Sequence, residues 1–99
     1  MNLYAHTFAA MDQKLLQEWA SKLARKEKTV VVFGARGGER AFLAAGRSRD
    51  LGLDMREIGR EAFKIMGGKG GGNETFVSGS GDPGKLDEAV KFIVASVKK

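Results

Sequence analysis

The sequence predicts an α/β sandwich, with helices packed on a mixed four-stranded sheet in the order β-α-β-β-α-β-α. The first observation behind this is an alternation between segments with apolar residues at helical spacing and short β-branched or alternating segments. The second is size and composition: 99 residues, 42% of them hydrophobic and only one proline, are typical of a single globular domain. Without an internal repeat or a linker in the sequence, we expect residues 1–99 to form one domain.

The first half of the chain predicts a strand, a helix and a hairpin. Residues 3–8 alternate in side-chain character and predict a strand, and Asp12 can cap the helix that follows. Residues 29–33 are β-branched and nearly continuously apolar, which indicates a buried strand at the sheet centre. Gly37-Gly38 then makes the turn to a return strand at 41–45. The predicted apolar face of the helix consists of Leu15, Leu16, Trp19, Ala20 and Leu23.

The second half predicts a helix, a strand and a final helix. The helix begins near Asp54 and extends to Met66, and residues 75–78 form a short strand. Asp82 caps the last helix and Pro83 takes its first position, where the missing N–H costs nothing. The residues expected to pack on the sheet include Trp19, Ile58, Phe63 and Ile93.

The segment Gly67-Gly68-Lys69-Gly70-Gly71-Gly72 joins the second helix to the strand after it. Glycine loses more conformational entropy on folding than any other residue, so five glycines indicate a specific purpose. One purpose is to hold a phosphate or a nucleotide backbone, using exposed N–H donors and the ammonium group of Lys69. The alternative is a tight connection whose glycines serve only close packing, and the six residues leave both interpretations open.

Basic residues recur along the second predicted helix. Arg56, Arg60 and Lys64 are four positions apart and form a row on one side. Glu57 and Glu61 sit beside this row and can neutralise much of it. A solvated face paired with its own neighbours is therefore the alternative to an anion-binding row.

Composition favours an anionic partner and excludes several kinds of chemistry. The formal net charge is +5, which makes a polyanion plausible as a partner. With no cysteine and one histidine, His6, the chain cannot build a disulfide or a His/Cys zinc site, and nothing suggests a Ser-His-Asp arrangement. We therefore expect no catalytic residue, no metal and no cofactor in this domain. The sequence has no membrane-spanning run and no signal-peptide pattern, so we expect a cytoplasmic location without a membrane partner.

A second glycine pattern is interpreted as a coincidence. Residues 79–84 match G-x-G-x-x-G, after a predicted strand and at the start of a helix. A dinucleotide site also needs a following strand and an acidic residue about 20 positions on. The sequence stops before either, so we reject the dinucleotide site and keep only the helix N-terminus as a candidate anion contact.

The motif GGKGGG, with residues 73–81 and a capped helix after it, resembles the DHH-associated C-terminal domain. That domain is found in alanyl-tRNA synthetases, in related alanyl-tRNA editing proteins and after the catalytic domain of DHH phosphoesterases. The resemblance covers nearly the whole chain. Lys69 between two glycine groups is similar to the synthetase and editing branch, while Asn73 stands where the phosphoesterase branch has a histidine. The chain departs from the family at Phe76-Val77-Ser78, where Met-Ala-Gln is commoner.

The resemblance implies a non-catalytic tRNA-binding accessory domain, the C-terminal part of a longer alanyl-tRNA synthetase or alanyl-tRNA editing hydrolase. It implies alanine-specific tRNA as the partner, catalytic domains N-terminal to this one, and the ability to form a homodimer. The alternatives are the substrate-binding domain of a DHH-type phosphoesterase and a dimerisation module whose glycines serve packing alone. The expected nucleic-acid contacts are Gly67, Gly68, Lys69, Gly70, Gly71, Gly72, Asn73, Arg36, Arg40, Arg60 and Lys64.

Overall fold

The structure, a computed structural model, describes residues 2–98. Within these residues, five strands and three α-helices follow one another, with a short 3-10 turn at Pro83–Lys85 before the last helix. The elements are β1 (Asn2–Phe8), α1 (Gln13–Ala24), β2 (Thr29–Gly37), β3 (Arg40–Arg47), α2 (Met55–Ile65), β4 (Lys69–Gly72), β5 (Phe76–Gly81) and α3 (Leu86–Lys98).

The strands form one mixed sheet in the order β1-β2-β3-β5-β4. β1 pairs with β2 in parallel, and the other neighbours are antiparallel. The predicted mixed sheet with helices packed on it is confirmed, but it has five strands instead of four. The additional strand is the glycine segment itself, since Lys69–Gly72 pair with Val77–Ser80 at the sheet edge. This fifth strand makes β3 the middle of the sheet, so the predicted central position of residues 30–33 was wrong, although β2 is an inner strand.

The sheet separates two apolar cores. On one face, α2 and α3 pack on inward side chains such as Val32, Leu43 and Val77, which are at most 1% exposed. On the other face, α1 alone packs on residues of β2 and β3, among them Val31 and Ala44. The face with two helices therefore holds the larger core, and the face with one helix leaves the outer strands less covered.

The buried stripe of α1 is displaced by one residue from the predicted one. Leu16, Ala20 and Ala24 face the sheet, whereas Leu15 and Trp19 are 40% and 44% exposed. Trp19 was predicted to pack on the sheet, but it does so only at the edge, where its ring centroid lies 6.0 Å from that of Phe8 in β1. Two adjacent stripes of this helix have helical spacing, and the one with the small alanines allows the closer approach to the sheet centre.

Side-chain caps hold the helix starts, as predicted for Asp12 and Asp82, and Asp54 caps α2 at its predicted start. The carboxylate of Asp12 accepts from the Leu15 N–H at 3.3 Å, and that of Asp54 from the Arg56 N–H at 3.0 Å. Asp82 accepts from the Gly84 N–H at 2.8 Å, in the 3-10 turn that leads into α3. Each cap satisfies a backbone donor that the helix itself cannot.

Candidate nucleic-acid interface

Helix α2 ends in a Schellman motif that uses the first glycine of the segment. Gly67 has φ of 64°, and its N–H donates to the Lys64 carbonyl at 3.1 Å. The Gly68 N–H donates to the Phe63 carbonyl at 3.0 Å, which completes the paired 5→2 and 6→1 bonds of this cap. Gly67 is therefore required by the helix end, since non-glycine residues rarely adopt a positive φ.

Close packing accounts for three further glycines. A Cβ atom on Gly70 would lie within 2.7 Å of three ring atoms of Phe63, which is 4% exposed. A Cβ atom on Gly68 or Gly72 would overlap the backbone of β5. A Cβ atom on Gly71, by contrast, would meet nothing within 4 Å. Capping and packing thus explain four of the five glycines of the segment, which favours the packing interpretation for those four.

A groove of about 480 Å³ runs between α2 and β4. Arg56, Arg60 and Lys64 line its helix side, and the glycine strand forms the other. Lys64 pairs with Glu61 at 3.4 Å, but within residues 2–98 neither arginine has a carboxylate within 4.0 Å. Among the described residues the self-paired alternative therefore applies only to Lys64, and the groove presents two guanidinium groups without an acidic partner there.

The outer edge of β4 adds backbone donors beside this basic row. The Asn73 N–H donates to the Phe76 carbonyl at 2.9 Å, so these two residues form a hydrogen-bonded pair. Along an antiparallel strand pair, hydrogen-bonded and non-hydrogen-bonded pairs of opposite residues alternate. In the register of β4 with β5, this alternation directs the N–H groups of Gly70 and Gly72 away from β5. An edge strand with outward N–H groups next to arginines is suited to an anionic backbone.

The side chain of Asn73 holds the turn that follows β4. Its Oδ1 atom accepts from the Thr75 N–H at 2.9 Å, the Thr75 hydroxyl at 2.8 Å and the Phe76 N–H at 3.1 Å. Because one oxygen takes three donors, the side chain fixes the β4–β5 hairpin and with it the position of the glycine edge.

The three remaining predicted cations, Arg36, Arg40 and Lys69, differ in where they lie. Arg36 is on the α3 side of the sheet and pairs with Asp87 at 3.3 Å. Arg40 donates to the Ser80 hydroxyl at 2.9 Å, and Ser80 lies opposite Lys69 in the β5–β4 register. Opposite residues of a strand pair share a face, so the Lys69 side chain starts on the α1 side of the edge strand. The structure thus brings Arg60 and Lys64 to the glycine strand and keeps Arg36 and Arg40 apart from it. Lys69 lines the groove as part of that strand, although its side chain starts on the far side.

Arg56 belongs to this groove but was absent from the contacts expected from sequence. It lines the same wall as Arg60 and Lys64 and is exposed. Its spacing of four residues from Arg60 was the available signal, since such residues neighbour each other on a helix surface.

Metal clusters and membrane-spanning helices are both absent from residues 2–98. Among residues 2–98, no three or more His, Asp or Glu side chains are grouped as they would be to hold a metal ion. None of the helices in that range is long and apolar enough to cross a membrane.

The sequence matches a known domain family. The family model of the DHHA1 domain matches residues 2–99. The chain belongs to the DHHA1 domain family. This DHHA1 domain is 37% identical over 86 residues to an alanine–tRNA ligase of Anaeromyxobacter dehalogenans, covering 83% of the chain and 10% of that ligase. It is 39% identical over 71 residues to the alanine–tRNA ligase of a Nocardioides strain, covering 69% of the chain and 8% of the ligase.

A solved structure shares the fold of this DHHA1 domain. The C-Ala domain from Aquifex aeolicus alanyl-tRNA synthetase superposes with a TM-score of 0.84 at 29% identity, covering 92% of this chain and 86% of that one. The resemblance stated from sequence is thereby confirmed. The chain spans about a tenth of the length of the curated ligases that it matches.

Proposed function

We propose that this DHHA1 domain is a non-catalytic tRNA-binding accessory domain of an alanyl-tRNA synthetase or an alanyl-tRNA editing protein. The observation that carries the proposal is the groove between α2 and β4, where Arg56 and Arg60 have no carboxylate partner in the described chain and face a glycine edge with outward N–H groups. The names of the ligases and of the C-Ala domain that it resembles support alanine-specific tRNA as the RNA.

In this proposal the RNA backbone lies along the β4 edge. The two arginines neutralise phosphates, and the N–H groups of Gly70 and Gly72 donate to phosphate oxygens. A Cβ atom on Gly71 would meet nothing within 4 Å, so the RNA backbone has room to approach this residue. Lys69 extends from the far side of the same strand and adds a mobile cation, while Asn73 holds the hairpin that positions the edge.

Phosphate contacts position an RNA without reading its sequence, so specificity for alanine tRNA would come from other parts of the parent protein. Aminoacylation or deacylation would also reside there, in domains N-terminal to this one, and in the cytoplasm where the tRNA is used. The domain itself needs no cofactor for this role. Its contribution is to hold the tRNA body while a catalytic domain acts on the acceptor end.

The decisive measurement is tRNA affinity at several salt concentrations for the parent and Arg56→Ala/Arg60→Ala. Because each neutralised phosphate contributes about 0.9 to the slope of log K against log salt, the variant should show a slope shallower by about 1.8. The control is Lys91→Ala/Lys98→Ala, which removes the same charge from the exposed side of α3. If both variants lose the same amount of tRNA affinity, the effect comes from net charge and not from the groove. If the salt slope is unchanged in both, the proposed interface is refuted.

A second candidate function, homodimer formation, is favoured by an exposed apolar surface at β1 and α1. Tyr4 and Trp19 are 39% and 44% exposed, and the Trp19 ring lies edge-on to Phe8 with centroids 6.0 Å apart. β1 is an edge strand with neither a charged residue nor proline, the features that normally prevent strand pairing. Sedimentation equilibrium of the parent and Trp19→Lys tests it: a concentration-dependent dimer that the substitution abolishes is expected, and a parent that stays monomeric contradicts it.

A further inference from the structure

On the sheet face that α1 covers, strand β5 is left partly open. This opening is on the opposite face of the sheet from the α2 groove. α1 packs mainly on β2 and β3, so the α1-facing residues of β5 are only partly covered. These residues are Phe76, Ser78 and Ser80, and Gln17 of α1 donates to the Ser78 hydroxyl at 3.2 Å. A depression therefore runs along the boundary between α1 and β5.

Two adjoining cavities, of about 690 and 430 Å³, form this depression. They share three lining residues: Ser21 and Arg25 from α1, and Phe76 from β5. The larger one continues to the loop after β3 and includes Arg49. We call the combined depression the Phe76 trough. The volume of its larger part falls within the range of about 300–1,000 Å³ found for small-molecule sites.

Arg25 and Arg49 give the Phe76 trough a positive charge. Both are exposed, and within residues 2–98 neither has a carboxylate within 4.0 Å. Asp50 also lines the larger cavity, but its carboxylate is engaged by the Lys28 N–H at 3.0 Å and by the Ser48 hydroxyl. In the larger cavity Arg25 and Arg49 are thus the exposed cations available to an anion, while Glu27 and the charged Asp50 would oppose it. The smaller cavity adds two cations, Lys14 and Lys22, and one further carboxylate, Glu18.

The loop that carries Arg49 is held in place from inside. The Arg47 guanidinium donates to the Ser48 carbonyl at 3.0 Å and to the Leu53 carbonyl, at the two ends of the loop. The Thr29 N–H donates to the Ser48 hydroxyl at 3.1 Å. These bonds tie the loop to the sheet, so Arg49 projects from an ordered backbone.

Phe76 supplies an aromatic surface between the two ends of the trough. Its ring is half-buried and seated against Gly46, where a Cβ atom would lie 2.7 Å from a ring carbon. The ring also lines both cavities. An aromatic side chain held in place between cations is the arrangement that stacks an unpaired base and neutralises the phosphates beside it.

We propose that the Phe76 trough binds an unpaired nucleotide of RNA, with its base on Phe76 and its flanking phosphates at Arg25 and Arg49. The proposal rests on the proposed function in taking the ligand to be RNA, but it assigns a site on the opposite face of the β4–β5 hairpin. The hairpin would then contact RNA on both faces, paired backbone in the α2 groove and an unpaired nucleotide in the trough.

The test measures binding of an unstructured octauridylate to the full 99-residue chain by fluorescence anisotropy at several salt concentrations. Arg25→Ala/Arg49→Ala should weaken binding and make the salt slope shallower by about 1.4, since each phosphate on a single strand contributes about 0.7. Phe76→Met keeps an apolar side chain of similar length and should weaken binding by roughly tenfold through lost stacking. Glu27→Gln should strengthen binding, because it removes a negative charge from the same cavity.

The control variant is again Lys91→Ala/Lys98→Ala, and melting temperatures show whether Phe76→Met still folds. If the arginine variant and Glu27→Gln bind the octauridylate like the parent, while Arg56→Ala/Arg60→Ala still weakens tRNA binding, the trough proposal fails and the proposed function stands. If no variant changes the affinity for either RNA, both fail. Uridine monophosphate is the second probe: binding as tight as that of the octauridylate would overturn RNA as the ligand.

Discussion

Two adjacent glycines of β4 differ in whether they have room for the methyl group of an alanine. A Cβ atom on Gly70 would lie within 2.7 Å of three ring atoms of Phe63, whereas one on Gly71 would meet nothing within 4 Å. Phe63 is 4% exposed, so its ring cannot move aside without disturbing the core below it. Gly70→Ala should therefore destabilise the domain and Gly71→Ala should not, although the two residues are adjacent.

The expected magnitudes are well separated. Overpacking a dense core typically costs about 1–3 kcal/mol, and a domain of this size loses about 4–8 °C of Tm per kcal/mol. Gly70→Ala should thus lower Tm by about 4–24 °C. Gly71→Ala should change the free energy of unfolding by less than about 0.5 kcal/mol, as is usual for a substitution that meets no neighbour.

Thermal melts followed by circular dichroism measure both variants, and a double-mutant cycle identifies the cause. In a Phe63→Leu background the ring is gone, so Gly70→Ala should cost much less than in the parent. An equal cost in both backgrounds would show that the Phe63 contact is not responsible. Equal Tm values for Gly70→Ala and Gly71→Ala would refute the packing explanation of the segment.

Three further outcomes follow from neighbouring residues. Gly67→Ala should cost about 1–2 kcal/mol in urea unfolding, because Ala must adopt a φ of 64° there. Lys69→Ala should leave Tm nearly unchanged but weaken tRNA binding, and identical affinities would remove Lys69 from the interface. The hydrogen bond from the Ser48 hydroxyl, helped by the Lys28 N–H, holds the pKa of Asp50 below its usual 3.8. Its carboxylate therefore stabilises the fold above that pH and loses this effect as the pH falls through the lowered pKa, so the loss of Tm caused by Asp50→Asn should be full at about pH 6 and should shrink as the pH is lowered below 3.8.

The helices and inner strands were predictable because their signals are local. Asp12 and Asp82 cap helix starts with their side chains as the sequence indicated, and Asp54 does so at the position where the second helix was predicted to begin. The β-branched run at 29–33 forms part of an inner strand that is buried on both faces. Some observed strands extend a few residues beyond their predicted ends. In β2, for example, hairpin pairing with β3 continues to Gly37.

The glycine strand could not be predicted because its cause is tertiary. Glycine has a low strand propensity, and β4 exists because Gly70 and Gly79 let two backbones approach beneath Phe63. The stripe of α1 was misjudged for a related reason. Two adjacent stripes have helical spacing, and only the closeness of the sheet selects the one with Ala20 and Ala24.

The predicted contact residues lie on different surfaces of the domain. The sequence could not show this, because it does not reveal the register of the strands. Arg60 and Lys64 share a groove with the glycines, as helical spacing and chain proximity imply. Arg36 faces α3 and Arg40 faces the α1 side, since successive strand positions alternate and the hairpin places these two on opposite faces. A one-dimensional pattern identifies basic residues near a turn, but only the register decides which of them can act on the same ligand.

The unequal covering of the sheet connects these observations. Five strands at about 4.8 Å spacing span roughly 20 Å, and one helix about 10 Å across cannot cover them. α1 therefore leaves two open flanks, and their chemistry differs: aromatic side chains on β1 at one edge, serines and glycines on β5 and β4 at the other. The apolar flank suits a second protein surface, and the polar flank, bordered by arginines, suits RNA. Because the flanks lie at opposite edges of the sheet, self-association through β1 would leave the β4 edge accessible, and substitutions at Trp19 should change oligomeric state without changing RNA affinity.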